Sequence, residues 1–187
     1  MAKNIRRTGL LLVIFSIIMI TVSGLADTKA LAATQLSNQV EKIINKKVKQ
    51  TDPAKKKLKK LFNFVEKNYN YKRTMEFTTY SGWEQDYALE MYSEKVGSCY
   101  HFAAAYAFLA KKATGYNVHI GVGETNGFSK ILQKHAWIEI NINSKWYICD
   151  PNMDKYAANS SGKYFLKRKN KLKSTYNNFK NVQYFAI

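Results

Sequence analysis

Histidine and cysteine are scarce in this 187-residue chain, with three of the first and two of the second. Acidic residues are scarce too: 13, against 30 Lys and Arg, for a formal charge of +17. Each shortage narrows the reading. Two cysteines, Cys99 and Cys149, permit one disulfide at most. No stretch concentrates Asp and Glu as a calcium loop requires, and neither a metal nor a cofactor is expected. There is no internal repeat, so no repeat-built wall-binding module is expected. Past residue 22 no apolar run reaches the length of a membrane span.

What is present begins with an export pattern. Lys3, Arg6 and Arg7 precede Leu10–Val22, which is apolar apart from Ser16 and Thr21. Ala30-Leu31-Ala32 is a small-x-small site, so residues 1–32 read as a signal peptide cleaved after Ala32. The rival is an uncleaved anchor over Gly9–Ala26. Either places the protein outside the membrane, secreted or surface-associated. The positive charge concentrates at Lys46–Lys60 and Lys163–Lys173. Nucleic acid is the reflex reading of such runs. Export and the lack of a nucleic-acid motif argue instead for anionic wall polymers or lipid head groups. The plainer alternative is a solvated helix face.

Helical stripes come first: Leu36, Val40, Ile43, Ile44 and Val48, then Leu58, Leu61, Phe62, Val65 and Tyr69 behind an Asp52 N-cap and Pro53. Residues 72–81 are polar and irregular. Trp83–Lys95 is a third helix. A fourth starts at Cys99, with Phe102, Ala103, Tyr106, Leu109, Ala110 and Ala113 on one face, and Gly115 ends it. Strands follow at 117–123, 135–142 and 145–150, the last two joined by Asn143-Ser144 as a two-residue turn. Residues 124–134 and 152–162 read as loops, and 164–166 and 182–187 as further strands.

Chemistry collects at three positions. Cys99 lies in the first helical turn, where the helix dipole and free N–H groups favour thiolate and could hold an oxyanion. Taken alone it reads more readily as a small core residue. The hairpin changes that. If Ile142 pairs with Lys145, Asp150 falls opposite Trp137 and diagonal to His135. His135, Trp137, Trp146, Ile148 and Asp150 then share one face of the sheet, and a one-residue slip would separate them. Cys149 falls on the other face with Ala136, Ile138 and Ile140, which argues against a Cys99–Cys149 bridge. His101 is two residues along the helix from Cys99 and points away. His119, opposite in face to Val118, Ile120 and Val122, has no legible carboxylate partner. His135 is therefore the better base: nucleophile, base and base-orienter become Cys99, His135 and Asp150.

Four segments in this order, Gly97-Ser98-Cys99, Thr114-Gly115-Tyr116, His135-Ala136-Trp137 and Asp150-Pro151, resemble the core of the transglutaminase-like superfamily, relatives of the papain-like thiol enzymes. Phe64–Tyr71 and Trp83–Leu89 resemble the helical lead-in of bacterial members, including small secreted Gram-positive proteins. The resemblance implies an α+β fold with N-terminal helices and an antiparallel sheet packed on the Cys-bearing helix. It implies a transglutaminase-like domain over 56–187, with 33–55 as a helical segment ahead of it. It implies a Cys99–His135–Asp150 triad acting on amide bonds of a protein or peptide, cell-wall peptide included, as peptidase, amidase or acyl transferase to an amine. An oxyanion-hole helper is expected among Trp83, Gln85 and Tyr71, and Trp137 and Tyr100 are expected at the substrate cleft. The competing function is a non-catalytic wall- or polymer-binding module on the same fold.

Overall fold

A computed structural model describes residues 28–73, 78–125, 131–172, 176 and 179–187. The charged N-terminus and apolar run of the expected signal lie outside these residues. Met1–Gln35 forms one unit, of which 28–35 are described and helical. Among the described residues no helix is long and apolar enough to cross a membrane.

The second unit is Leu36–Ile187. In chain order it contains α1 (36–47), α2 (Ala54–Asn68), β1 (Asn70–Tyr71), α3 (Trp83–Glu94), β2 (Val96–Gly97) and α4 (Cys99–Thr114). Then come β3 (Val118–Thr125), β4 (Gln133–Ile142), β5 (Lys145–Cys149), α5 (Pro151–Tyr156) and β6 (Lys180–Ala186). The antiparallel sheet runs β5-β4-β3-β6, and β1 and β2 form a separate parallel pair.

Helix α4 is the centre. The spacing predicts one apolar face, but every residue from Cys99 to Ala107 is buried, as are Leu109 and Ala110. A helix apolar all round is covered all round. Here α2, α3, β3, β4 and α5 all pack against it. The run Ala103-Ala104-Ala105 adds little bulk where these neighbours approach. Two phenols satisfy buried carbonyls beside it: Tyr106 donates to Leu58 O at 3.2 Å and Tyr92 to Ala105 O at 2.7 Å. Gly115, at φ 69°, closes the helix.

The hairpin forms in the expected register. Asn143 and Ser144 both take positive φ, 52° and 60°, the conformation a tight two-residue turn needs. Ile142 pairs with Lys145 and Ile138 with Cys149. Side chains then sort by face. Ala136, Ile138, Ile140 and Cys149 join the main core around α4. Trp137 and Ile148 face away and build a second cluster with Tyr164, Leu172 and Tyr176.

Four local readings change. Helix α2 starts at Ala54 with Pro53 as its cap residue; the Asp52 carboxylate instead accepts from Lys49 N–H and pairs with Lys56 and Lys60. Residues 164–166 form no strand: Leu166 N–H donates to the Cys149 side chain rather than to a β5 carbonyl, and the β-bridge to β5 is a single residue pair, Lys167 with Ile148. Part of the expected 152–162 loop is α5, started by Pro151 at the first helical position. The β1–β2 pair, two residues per strand, is too short to leave a pattern.

Candidate active site

The loop before α4 fixes where Cys99 points. A Cβ on Gly97 would sit 2.6 Å from both Cβ and Cγ of His101, so only glycine lets the imidazole fold back. Ser98 N–H donates to His101 Nδ1 at 3.2 Å, a histidine version of the capping box. With Nδ1 accepting, the proton sits on Nε2, which donates to Glu90 Oε2 at 2.8 Å. The ring stacks on Tyr87 at 4.5 Å. Burial pushes the His101 pKa down, against the pull of Glu90. His101 thus points away from the thiol and builds the helix start. Cys99 N–H, at the first helical position, has no intrahelical acceptor.

His135 and Asp150 meet across the hairpin. His135 Nε2 lies 2.6 Å from Asp150 Oδ2, and both side chains are at most 5% exposed. The other imidazole edge, bearing Nδ1, is the one left for Cys99, with which His135 shares a side-chain hydrogen bond. Burial opposes charge on His135, but the charges of Asp150 and Cys99 and the hydrogen bonds to both outweigh it. Its pKa is pushed up to about 10. Asp150 is held at three points. Oδ1 accepts from Met153 N–H at 2.9 Å, capping α5, and Oδ2 also accepts from the Tyr176 hydroxyl at 2.6 Å. The sequence places Asp150 as the last residue of a strand; the strand ends at Cys149, and Asp150 is the N-cap of the next helix.

The remaining expected residues scatter. Tyr71, on β1 opposite Gly97, is 43% exposed and near enough to Cys99 to feel its charge; burial and that charge push its phenol up. Its N–H donates to the Tyr156 hydroxyl at 2.8 Å. Tyr100 is buried, yet lines a cleft of about 270 Å³ with Gly123, Glu124 and Lys134. A larger cleft of about 440 Å³ is lined by Lys72, Arg73, Tyr87, Glu90, Gly97 and His101. Trp83 is fully buried against Tyr100 and Phe185, and its indole N–H finds no acceptor among the described residues. Gln85 lies half-buried in the first turn of α3. Trp137, expected at the cleft, is fully buried; its indole lies over Gly121, where a Cβ would meet it at 2.5 Å, and donates to Glu139 at 2.9 Å.

His119 has a carboxylate neighbour that its own segment does not reveal. Its Nε2 is 3.5 Å from Glu139 Oε2, an ion-pair distance without hydrogen-bond alignment, and the ring stacks on Trp146 at 4.0 Å. Both cysteines are free. Burial pushes the Cys149 thiol up to about 12. Tyr176 is the residue sequence reasoning missed. It lies in the polar, lysine-rich stretch 171–176, where no periodicity or spacing marks it.

The match to the transglutaminase-like superfamily spans residues 41–151, from α1 to the residue after Asp150. The chain belongs to the transglutaminase-like superfamily. A comparison with curated proteins finds no match. Two solved structures are similar to this transglutaminase-like chain. One is a candidate cysteine protease from Cytophaga hutchinsonii, at 15% identity and TM-score 0.48, covering 81% of this chain and 51% of its own. The other is described as a TGase, at 13% identity and TM-score 0.45, covering 70% of this chain and 33% of its own. The chain thus spans about half and a third of the lengths of these proteins.

Proposed function

We propose that this transglutaminase-like chain is a thiol enzyme acting on amide bonds, with Cys99, His135 and Asp150 as its triad. The observation that carries the reading is the 2.6 Å His135–Asp150 contact on one edge of an imidazole whose other edge meets Cys99 at the start of α4. Cys99 Sγ, its proton passed to His135, attacks the carbonyl carbon. The C–N bond breaks, and His135 gives the proton to the departing amine, leaving a thioester on Cys99. Water or a second amine, deprotonated by His135, then takes the acyl group and frees the thiol. The tetrahedral oxyanion falls to the Cys99 N–H, aided by Tyr71, which is 43% exposed and near enough to Cys99 to feel its charge.

Protein or peptide is the substrate class, with cell-wall peptide a specific case. The lysines of α2 and of 163–173 support an anionic wall polymer or membrane surface as the resting place of an exported protein. A peptide library incubated with and without an added primary amine tests the activity. New termini or released ammonia alone identify hydrolysis, and amine incorporation identifies acyl transfer. No product under either condition, with Cys99 unreactive toward a thiol probe, contradicts the proposal and leaves the polymer-binding module.

A further inference from the structure

We propose that Tyr176 is a positioning residue for the His135–Asp150 pair, supplied by a C-terminal segment that lies outside the family-matched region. The proposal rests on the triad reading above. It starts from how fully the Asp150 carboxylate is used. An ionised carboxylate only accepts hydrogen bonds, so the Tyr176 hydroxyl must donate. Its oxygen lies 2.6 Å from Oδ2, the same atom that meets His135 Nε2 at 2.6 Å, while Oδ1 is tied to Met153 N–H. Rotating the carboxylate away from His135 therefore breaks three bonds together.

The phenol is itself held. Tyr176 is fully buried, stacked on Phe179 at 5.5 Å and 20°, and edge-on to Trp137 at 5.6 Å and to Tyr164 at 6.1 Å. Phe179 reaches on to the His135 ring at 6.2 Å. Strand β6, which follows directly, pairs with β3, whose Gly123 is the register partner of His135. Tyr176 and Phe179 thus lie against the pair from the side of Trp137, and His135 is 4% and Asp150 1% exposed. Burial and the Asp150 charge hold the Tyr176 phenol well above its ordinary pKa, so it keeps the proton it donates.

The consequence is a tuned base. The charged groups acting on His135 are Asp150 and Cys99. A hydrogen bond donated to the carboxylate spreads its negative charge and weakens its stabilisation of the imidazolium. Without the Tyr176 hydroxyl, Asp150 would stabilise the imidazolium more strongly, and His135 would release the proton on its other nitrogen, the one facing Cys99, less readily to a departing amine.

The test is Tyr176→Phe, which keeps the ring and removes the hydroxyl. His135 is titrated by nitrogen NMR, and Cys99 alkylation by iodoacetamide is followed over the same pH range. His135→Ala is run in parallel. The expected result is a His135 midpoint about one pH unit higher in Tyr176→Phe, with the alkaline step of Cys99 alkylation moving with it. A lower melting temperature with an unchanged or lowered midpoint overturns the proposal and leaves the triad standing. Cys99 alkylation indifferent to His135→Ala overturns the triad itself, and the proposal with it. Should Tyr176→Phe fail to fold, proton NMR of the unaltered protein decides. A hydrogen-bonded phenol proton far downfield that shifts as His135 titrates supports the proposal; its absence overturns it.

Discussion

Replacing Asp150 separates its two jobs, because the carboxylate both orients His135 and caps α5. In Asp150→Ala the His135 Nε2–H, the Tyr176 hydroxyl and the Met153 N–H all lose their acceptor. Breaking a buried pair by removing one partner costs about 3–5 kcal/mol, and losing an N-cap costs about 1 kcal/mol. The three bonds share one carboxylate, so the terms overlap, and about 4 kcal/mol is expected in all. In a domain of this size that lowers the melting temperature by about 10 °C. Asp150→Asn is milder. Its amide oxygen still accepts from Met153 or Tyr176, but its NH2 faces a ring nitrogen that also carries hydrogen. The loss is about 1–3 kcal/mol, while the imidazolium is no longer stabilised and the tautomer no longer fixed. Turnover should fall by about 10³–10⁴-fold. Thermal melting and the Cys99 alkylation rate against pH are measured on the same samples. An Asp150→Asn protein that melts early yet keeps the unaltered alkylation profile would refute the orienting role and leave only the cap.

Gly121→Ala should destabilise by about 1–3 kcal/mol, because the new methyl meets the Trp137 indole at 2.5 Å; chemical denaturation with tryptophan fluorescence reads both the loss and the displaced ring. His101→Ala should slow Cys99 alkylation, while His101→Gln, which restores an acceptor for Ser98 N–H, should largely recover it. The His101 pKa is depressed, so its contribution to stability is present above the unfolded histidine value and is lost as pH falls through its folded value; the acid limb of a melting-temperature profile should flatten in His101→Gln. The His135 pKa is raised, so its contribution is present below the unfolded value and is lost as pH rises toward 10; His135→Ala should remove that alkaline fall. Iodoacetamide should label Cys99 well before Cys149, whose thiol is buried and pushed up to about 12; equal labelling on a peptide map would contradict the site.

Much of the site was legible because it is built on short-range rules. A two-residue turn at Asn143-Ser144 sets the register, and the register with strict alternation puts His135 and Asp150 on one face. The Cys99 helix was legible from its apolar spacing and from Gly115. The parts that were not legible depend on distant chain. Nothing local marks Tyr176 as a partner of Asp150, which it meets from outside the sheet, or Glu139 as the neighbour of His119, which it meets across the β3–β4 pairing. Trp137, expected at the cleft from the resemblance, is instead buried against Tyr176 and Phe179. Helix α5 is six residues long and is capped by Asp150 itself, so the segment after Pro151 reads as loop.

The central claim is that Cys99 is the nucleophile, and trapping an acyl-enzyme tests it most directly. The protein is mixed with p-nitrophenyl acetate, quenched in acid and mapped by peptide mass. The account predicts a stoichiometric burst of nitrophenol and an acetyl group on Cys99. The burst should vanish in Cys99→Ala, fall sharply in His135→Ala and persist in Cys149→Ala. Acetyl found on Cys149 or on surface lysines, with Cys99 unmodified, would contradict it.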